Sequence, residues 1–146
     1  MSRYFTLAEA ERMLPQVETI LRDALFQKAE YQAAHQELES LMQRIRMSGG
    51  SRVNPGTMLA LRARRDQAGV SLRGLFDKMQ ELGVPIKDLD TGLIDFLTLY
   101  QGREVCLCWK LGESSIEYWH STEEGFRGRK PIDEEFIQNH KGDSGT

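Results

Sequence analysis

Three acids, Asp88, Asp90 and Asp95, bracket a short turn, and Glu113, Glu117 and His120 surround a later apolar segment. If the strands or turns that carry them lie close, carboxylates and one imidazole converge. Oxygen donors with a single imidazole suit Mg²⁺, Mn²⁺ or a non-haem metal better than a sulfur-loving one. Asp88, Asp90 and Asp95 are therefore the candidate ligands of a divalent metal; no other cofactor is evident. The plainer reading stands beside it. Asp90 before Thr91-Gly92 is an ordinary turn residue whose side chain bonds its own backbone, and Asp88 and Glu117 can be solvated strand residues.

His120 follows two aromatics, Tyr118 and Trp119. An imidazole titrates near neutrality and can act as a general base, or it can close the edge of a core. Gly125-Phe126-Arg127-Gly128-Arg129 is basic and freed by glycines, so its forked guanidinium donors can wrap an anion. Arg129 buried against Asp95 or Glu113 is the alternative. His120 and Arg129 are the candidate catalytic pair, and Trp109, Glu113, Trp119 and Arg127 the candidate ligand-binding residues. His35 and His140 lack such a setting and read as surface residues. No phosphate-binding loop, nucleophile elbow or histidine-rich metal motif occurs.

Cys106 and Cys108 stand two apart, too close for a zinc motif and poorly placed for a disulfide. They read as reduced packing residues, which points to the cytoplasm. The 146 residues carry a formal net charge of −3, with 40% hydrophobic and 28% charged residues. That balance argues against a general grip on nucleic acid, and no apolar run is long enough to span a bilayer.

The elements that would position these groups follow from punctuation and period. Thr6 and Glu9 form a capping box, with Phe5 placed to staple onto Ala10. Pro15 is expected to kink the helix, which then runs to about Met47. Val17, Ile20, Leu21, Ala24, Leu25, Ala34, Leu38, Leu41 and Ile45 make its apolar stripe. The segment 48–55 reads as a flexible loop. A second helix spans about Gly56 to Leu82, with Met58, Leu61, Ala68, Leu72, Leu75, Met79 and Leu82 in a coiled-coil-like seam that only Arg65 interrupts. From Val84 the period becomes that of strands: an edge strand at Pro85–Asp88, then Leu93–Tyr100, Glu104–Leu111 and Ser115–His120, joined by tight turns. On the third of these, Val105, Leu107, Trp109 and Leu111 should face a core, and Glu104, Cys106, Cys108 and Lys110 a more polar side. The fold class expected is α+β, a long antiparallel helical hairpin followed by a small antiparallel β-meander. It is read as one domain: hairpin about 6–83, sheet about 84–121, then loop and flexible tail.

Several motifs together, Arg3-Tyr4-Phe5-Thr6-Leu7-Ala8-Glu9-Ala10, Lys87-Asp88-Leu89-Asp90-Thr91-Gly92-Leu93-Ile94-Asp95-Phe96, Cys108-Trp109-Lys110-Leu111-Gly112-Glu113, Tyr118-Trp119-His120 and Gly125-Phe126-Arg127-Gly128-Arg129, resemble a family of short prokaryotic proteins of unknown function. The resemblance covers most of residues 3–132 and implies a shared fold without an activity. The residues themselves suggest two functions. The helical seams are longer than the small sheet can cover, which favours an interaction or oligomerisation module, most simply a homodimer through the hairpin. The alternative is a small-ligand or metal-binding, enzyme-like domain using the acids, His120 and Arg129 at the sheet end.

Overall fold

The computed structural model describes residues 3–49 and 54–143. Helix α1 (Leu7–Met47) begins with the capping box. The Thr6 amide donates to Glu9 Oε1 at 2.9 Å and the Glu9 amide donates to Thr6 Oγ1 at 3.1 Å. Two of the helix's orphan donors are thereby satisfied. Contrary to the expected kink, Pro15 lies inside an unbroken helix. Proline removes one hydrogen bond, and the loss is confined to the third turn. Helix α2 spans Pro55–Leu82. The expected flexible loop falls partly on residues 50–53, outside the described residues.

The chain divides into two compact units. The first comprises residues 1–21 and 76–146, the second residues 22–75. The second unit is the helical hairpin. Arg64 pairs with Glu30 (3.2 Å) and Glu37 (3.7 Å), and Tyr31 packs at Gly69. Pairing partners that fall along α1 as they rise along α2 make the helices antiparallel. No helix among the described residues is long and apolar enough to cross a membrane.

The first unit is built on an antiparallel meander. Strands β1 (Ile86–Asp88), β2 (Leu93–Tyr100), β3 (Arg103–Lys110), β4 (Tyr118–Ser121) and β5 (Lys130–Pro131) lie in chain order. Gln101 and Gly102, both at positive φ (54° and 76°), form the two-residue turn between β2 and β3. This is the hairpin turn whose twist matches the flanking strands. It fixes the register: Asp95 opposite Cys108, Leu97 opposite Cys106, and beyond β3, Cys106 opposite His120. The fourth strand starts later than the sequence suggests, at Tyr118. Ile116 instead is buried outside the ladder, and its amide donates to Glu11 at 2.8 Å.

Residues after His120 are more ordered than expected. After a 3₁₀ turn at Phe126–Gly128 and strand β5 comes α3 (Glu134–Asn139), capped by the Asp133 carboxylate. Strand β6 (His140–Lys141) pairs with the end of β2. His140 is half-buried rather than free on the surface. Its Nδ1–H donates to the Ile137 carbonyl (2.8 Å), and its Nε2 accepts from the Leu7 amide (2.8 Å) at the start of α1. Asp143 exchanges hydrogen bonds with Tyr4, so the expected tail flexibility is absent through residue 143.

One sheet face carries Ile94, Phe96, Leu107 and Trp109, all buried. Phe96 meets Phe5 edge-on at 5.3 Å, and Phe136 of α3 stacks among Tyr100 and Trp119. The opposite face holds Asp95, Cys106, Cys108 and His120. The expectation that this side is polar is half right. The groups are polar, but Asp95, both cysteines and His120 are buried.

Candidate functional site

Asp95 on β2 and His120 on β4 are separated by β3. Neighbouring strands lie about 4.8 Å apart, so the two side chains must reach across the middle strand to touch. Cys106 and Cys108 are the residues beneath them, and small thiols leave that passage open. His120 Nε2 lies 3.0 Å from Asp95 Oδ1, and Nδ1 lies 2.7 Å from the Ser121 carbonyl. A carbonyl only accepts, so Nδ1 carries a proton. A carboxylate also accepts, so Nε2 carries one too. The pair is an imidazolium held against a carboxylate. The hydrogen bond to Asp95, foremost, and that with the Cys108 side chain, next, raise the His120 pKa from 6.5 to about 10, against the opposing effect of burial. Carboxylate oxygen, imidazole nitrogen and the Cys106 sulfur lie within 4.8 Å of one another. Burial, with Asp95 nearby, pushes the Cys106 thiol up to about 12. It is a thiol at neutral pH, and with both ring nitrogens of His120 engaged elsewhere, no base stands ready to activate it. A cavity of about 230 Å³ opens beside the group, bordered by Lys87, Thr122 and Phe126.

Arg129 belongs to a different cluster. Its guanidinium forks onto Glu113, at 2.9 Å to Oε2 and 2.6 Å to Oε1, and reaches the Cys108 carbonyl at 3.4 Å. It is sandwiched over Tyr118 (4.3 Å) and Phe126 (4.6 Å). Burial pushes the Glu113 carboxyl up, but the Arg129 hydrogen bonds and the Lys110 amide outweigh it and hold the group below its ordinary range. Glu113 thus occupies the fork that an incoming anion would need.

These positions match the family description "Uncharacterized conserved protein (DUF2203)" over residues 3–132. The chain belongs to the DUF2203 family. No curated protein and no solved structure matches it.

In this DUF2203 chain the residues singled out from sequence do not share one place. Asp95 and His120 meet. Glu113 and Arg129 meet, apart from them. Asp88 and Asp90 stay in their turn, where Asp88 Oδ1 accepts from the Asp90 amide at 3.0 Å. Both are exposed. Trp119 faces the other side of the sheet, against Tyr100 and Phe136. Trp109 is core, its indole N–H donating to the Glu113 carbonyl at 3.1 Å, and Arg127 is exposed. The residue that sequence reasoning passed over is Cys106. A signal for it existed: a two-residue β2–β3 turn puts residue 106 opposite 97, on the face of Asp95.

Proposed function

We propose that this DUF2203 protein is a self-association module, and that its occupant is a second copy of the same chain packed against the hairpin of residues 22–75. One observation carries the reading. Of the expected seam, Val17, Ile20, Leu21 and Met79 are buried, but within residues 22–75 only Ala24, Ala34, Leu38 and Ala68 are, while Leu41, Ile45, Met58, Leu61, Leu72 and Leu75 remain half-exposed. Two helices alone cannot enclose such residues; four can. Leu59 and Val70, 64% and 68% exposed, lie eleven residues apart on α2. Three helical turns separate them, so they share one outer stripe. The hairpin carries Glu30, Glu37 and Glu39 on α1 beside Arg62, Arg64 and Arg65 on α2. A surface with both signs complements itself across a twofold axis. The free cysteines support a reducing, cytoplasmic setting, and the net charge of −3 speaks against nucleic acid as the partner. Light scattering at high protein concentration should give twice 16.7 kDa. Leu59→Asp with Val70→Asp should give the monomer with helicity retained. A wild-type monomer at that concentration overturns the proposal.

A further inference from the structure

The buried group on the Asp95 face of the sheet has the makings of a metal centre different from the oxygen-rich one that the acids at 88–95 suggest. We propose that Asp95, Cys106 and His120 form a three-residue site for a divalent metal of the zinc class, with the fourth coordination position open to the adjoining cavity.

The donor set sets the metal class. One sulfur, one imidazole and one carboxylate suit Zn²⁺ or Co²⁺ and disfavour Mg²⁺ and Ca²⁺, which seek oxygen alone. The spacing is compatible. Bonds of about 2.0–2.3 Å at tetrahedral angles place ligand atoms about 3.3–3.6 Å apart. Here Asp95 Oδ1 and His120 Nε2 stand 3.0 Å apart, and the Cys106 sulfur lies within 4.8 Å of both. Seating an ion requires the first pair to part by a few tenths of an ångström and the thiol to turn inward. The surroundings of His120 fit as well. Its far nitrogen donates to the Ser121 carbonyl at 2.7 Å. That is the support which orients metal-bound histidines and directs Nε2 at the ion. All three ligand residues are buried, on adjacent β-strands whose register is fixed by the Gln101-Gly102 turn. Rigid strands hold ligands better than loops do. Three protein ligands and an adjacent cavity of about 230 Å³ make an open site rather than a closed structural one. In the metal-free chain a proton occupies the ion's place between Asp95 and His120.

Titration of the purified full chain with Co²⁺ tests this, because a cobalt–thiolate bond gives a near-ultraviolet charge-transfer band that oxygen and nitrogen ligands do not. Wild type should develop the band at one equivalent, and Zn²⁺ should abolish it. Cys106→Ser leaves the Asp95–His120 pair intact and should fold. It should lose the band and weaken Zn²⁺ binding by at least about 10–100-fold. Asp88→Asn should keep both. No band in wild type, meaning that the trio is a charge pair only, overturns the proposal. So does a band that survives Cys106→Ser.

Discussion

Asp95 and His120 form a polar pair that is 7% and 3% exposed, so each satisfies the other largely in place of water. Removing one partner strands the other. His120→Ala should destabilise the fold by about 3–5 kcal/mol, read as a shift in denaturant midpoint. The pair also sets a pH dependence whose direction follows from the imidazole. Folding favours protonated His120, with a pKa near 10 in place of 6.5. That stabilisation is complete below about pH 6.5 and fades as pH climbs towards 10. Unfolding free energy should fall across this interval in wild type, and the slope should be lost in Asp95→Asn. A wild-type profile that is flat from pH 7 to 10 contradicts the charged pair. Arg129 contributes on a smaller footing. Its fork onto Glu113 is only partly buried, and Arg129→Ala should cost about 1.5–3 kcal/mol. Of these partnerships, Arg129 with Glu113 was legible in the sequence as an alternative to anion binding. Asp95 with His120 was foreseeable only as a convergence of acids and imidazole. The part of Cys106 was hidden because two cysteines in an apolar run look like packing.

The helices and the meander were legible because they rest on local rules. The capping box at Thr6 and Glu9 makes the hydrogen bonds that its spacing predicts. The switch from helical to strand period at Val84, and the turn read at Gln101-Gly102-Arg103, place β1 to β3 within a residue or two. The elements missed after His120 have a common cause. Strands β5 and β6 have two residues each, and α3 has six. Such pieces are too short to show a period, and tertiary partners hold them in place. Phe136 is the means: fully buried, it stacks on Trp119 and His140 and lies 4.5 Å from Tyr100. Phe136→Ala should therefore cost about 3–5 kcal/mol, and should release β6 from β2, seen as loss of amide protection at residues 140–141. If those amides stay protected, β6 is held by its own ladder instead. Gly92 has a comparable local role. It sits at φ 69°, and a side chain there would run into Leu111. Gly92→Ala pays both for the backbone strain and for that collision.

The chain as a whole is unevenly filled. The unit made of residues 1–21 and 76–146 holds nearly all the large buried side chains, among them Trp109, Phe5, Phe96, Phe136 and Leu107. Among its described residues, the unit of residues 22–75 buries three alanines and Leu38. Apolar burial is worth about 25 cal/mol per Å², so a hairpin with so thin a core has little to oppose local opening. In an isolated chain its amides should exchange faster than those of β2 and β3, because exchange follows local stability. A second copy changes this. Anything that binds only the folded hairpin stabilises it by mass action, and does so more at higher concentration. Hydrogen exchange measured along a dilution series therefore separates the cases. If the hairpin self-associates, protection around Ala34, Leu38 and Ala68 should be strong in concentrated protein and fall on dilution, while protection at Phe96 and Leu107 stays constant. In Leu59→Asp with Val70→Asp, the hairpin should exchange at the dilute wild-type rate at every concentration. Hairpin protection that is high and indifferent to dilution would mean that the two helices are sufficient by themselves, and that the half-exposed seam needs no partner.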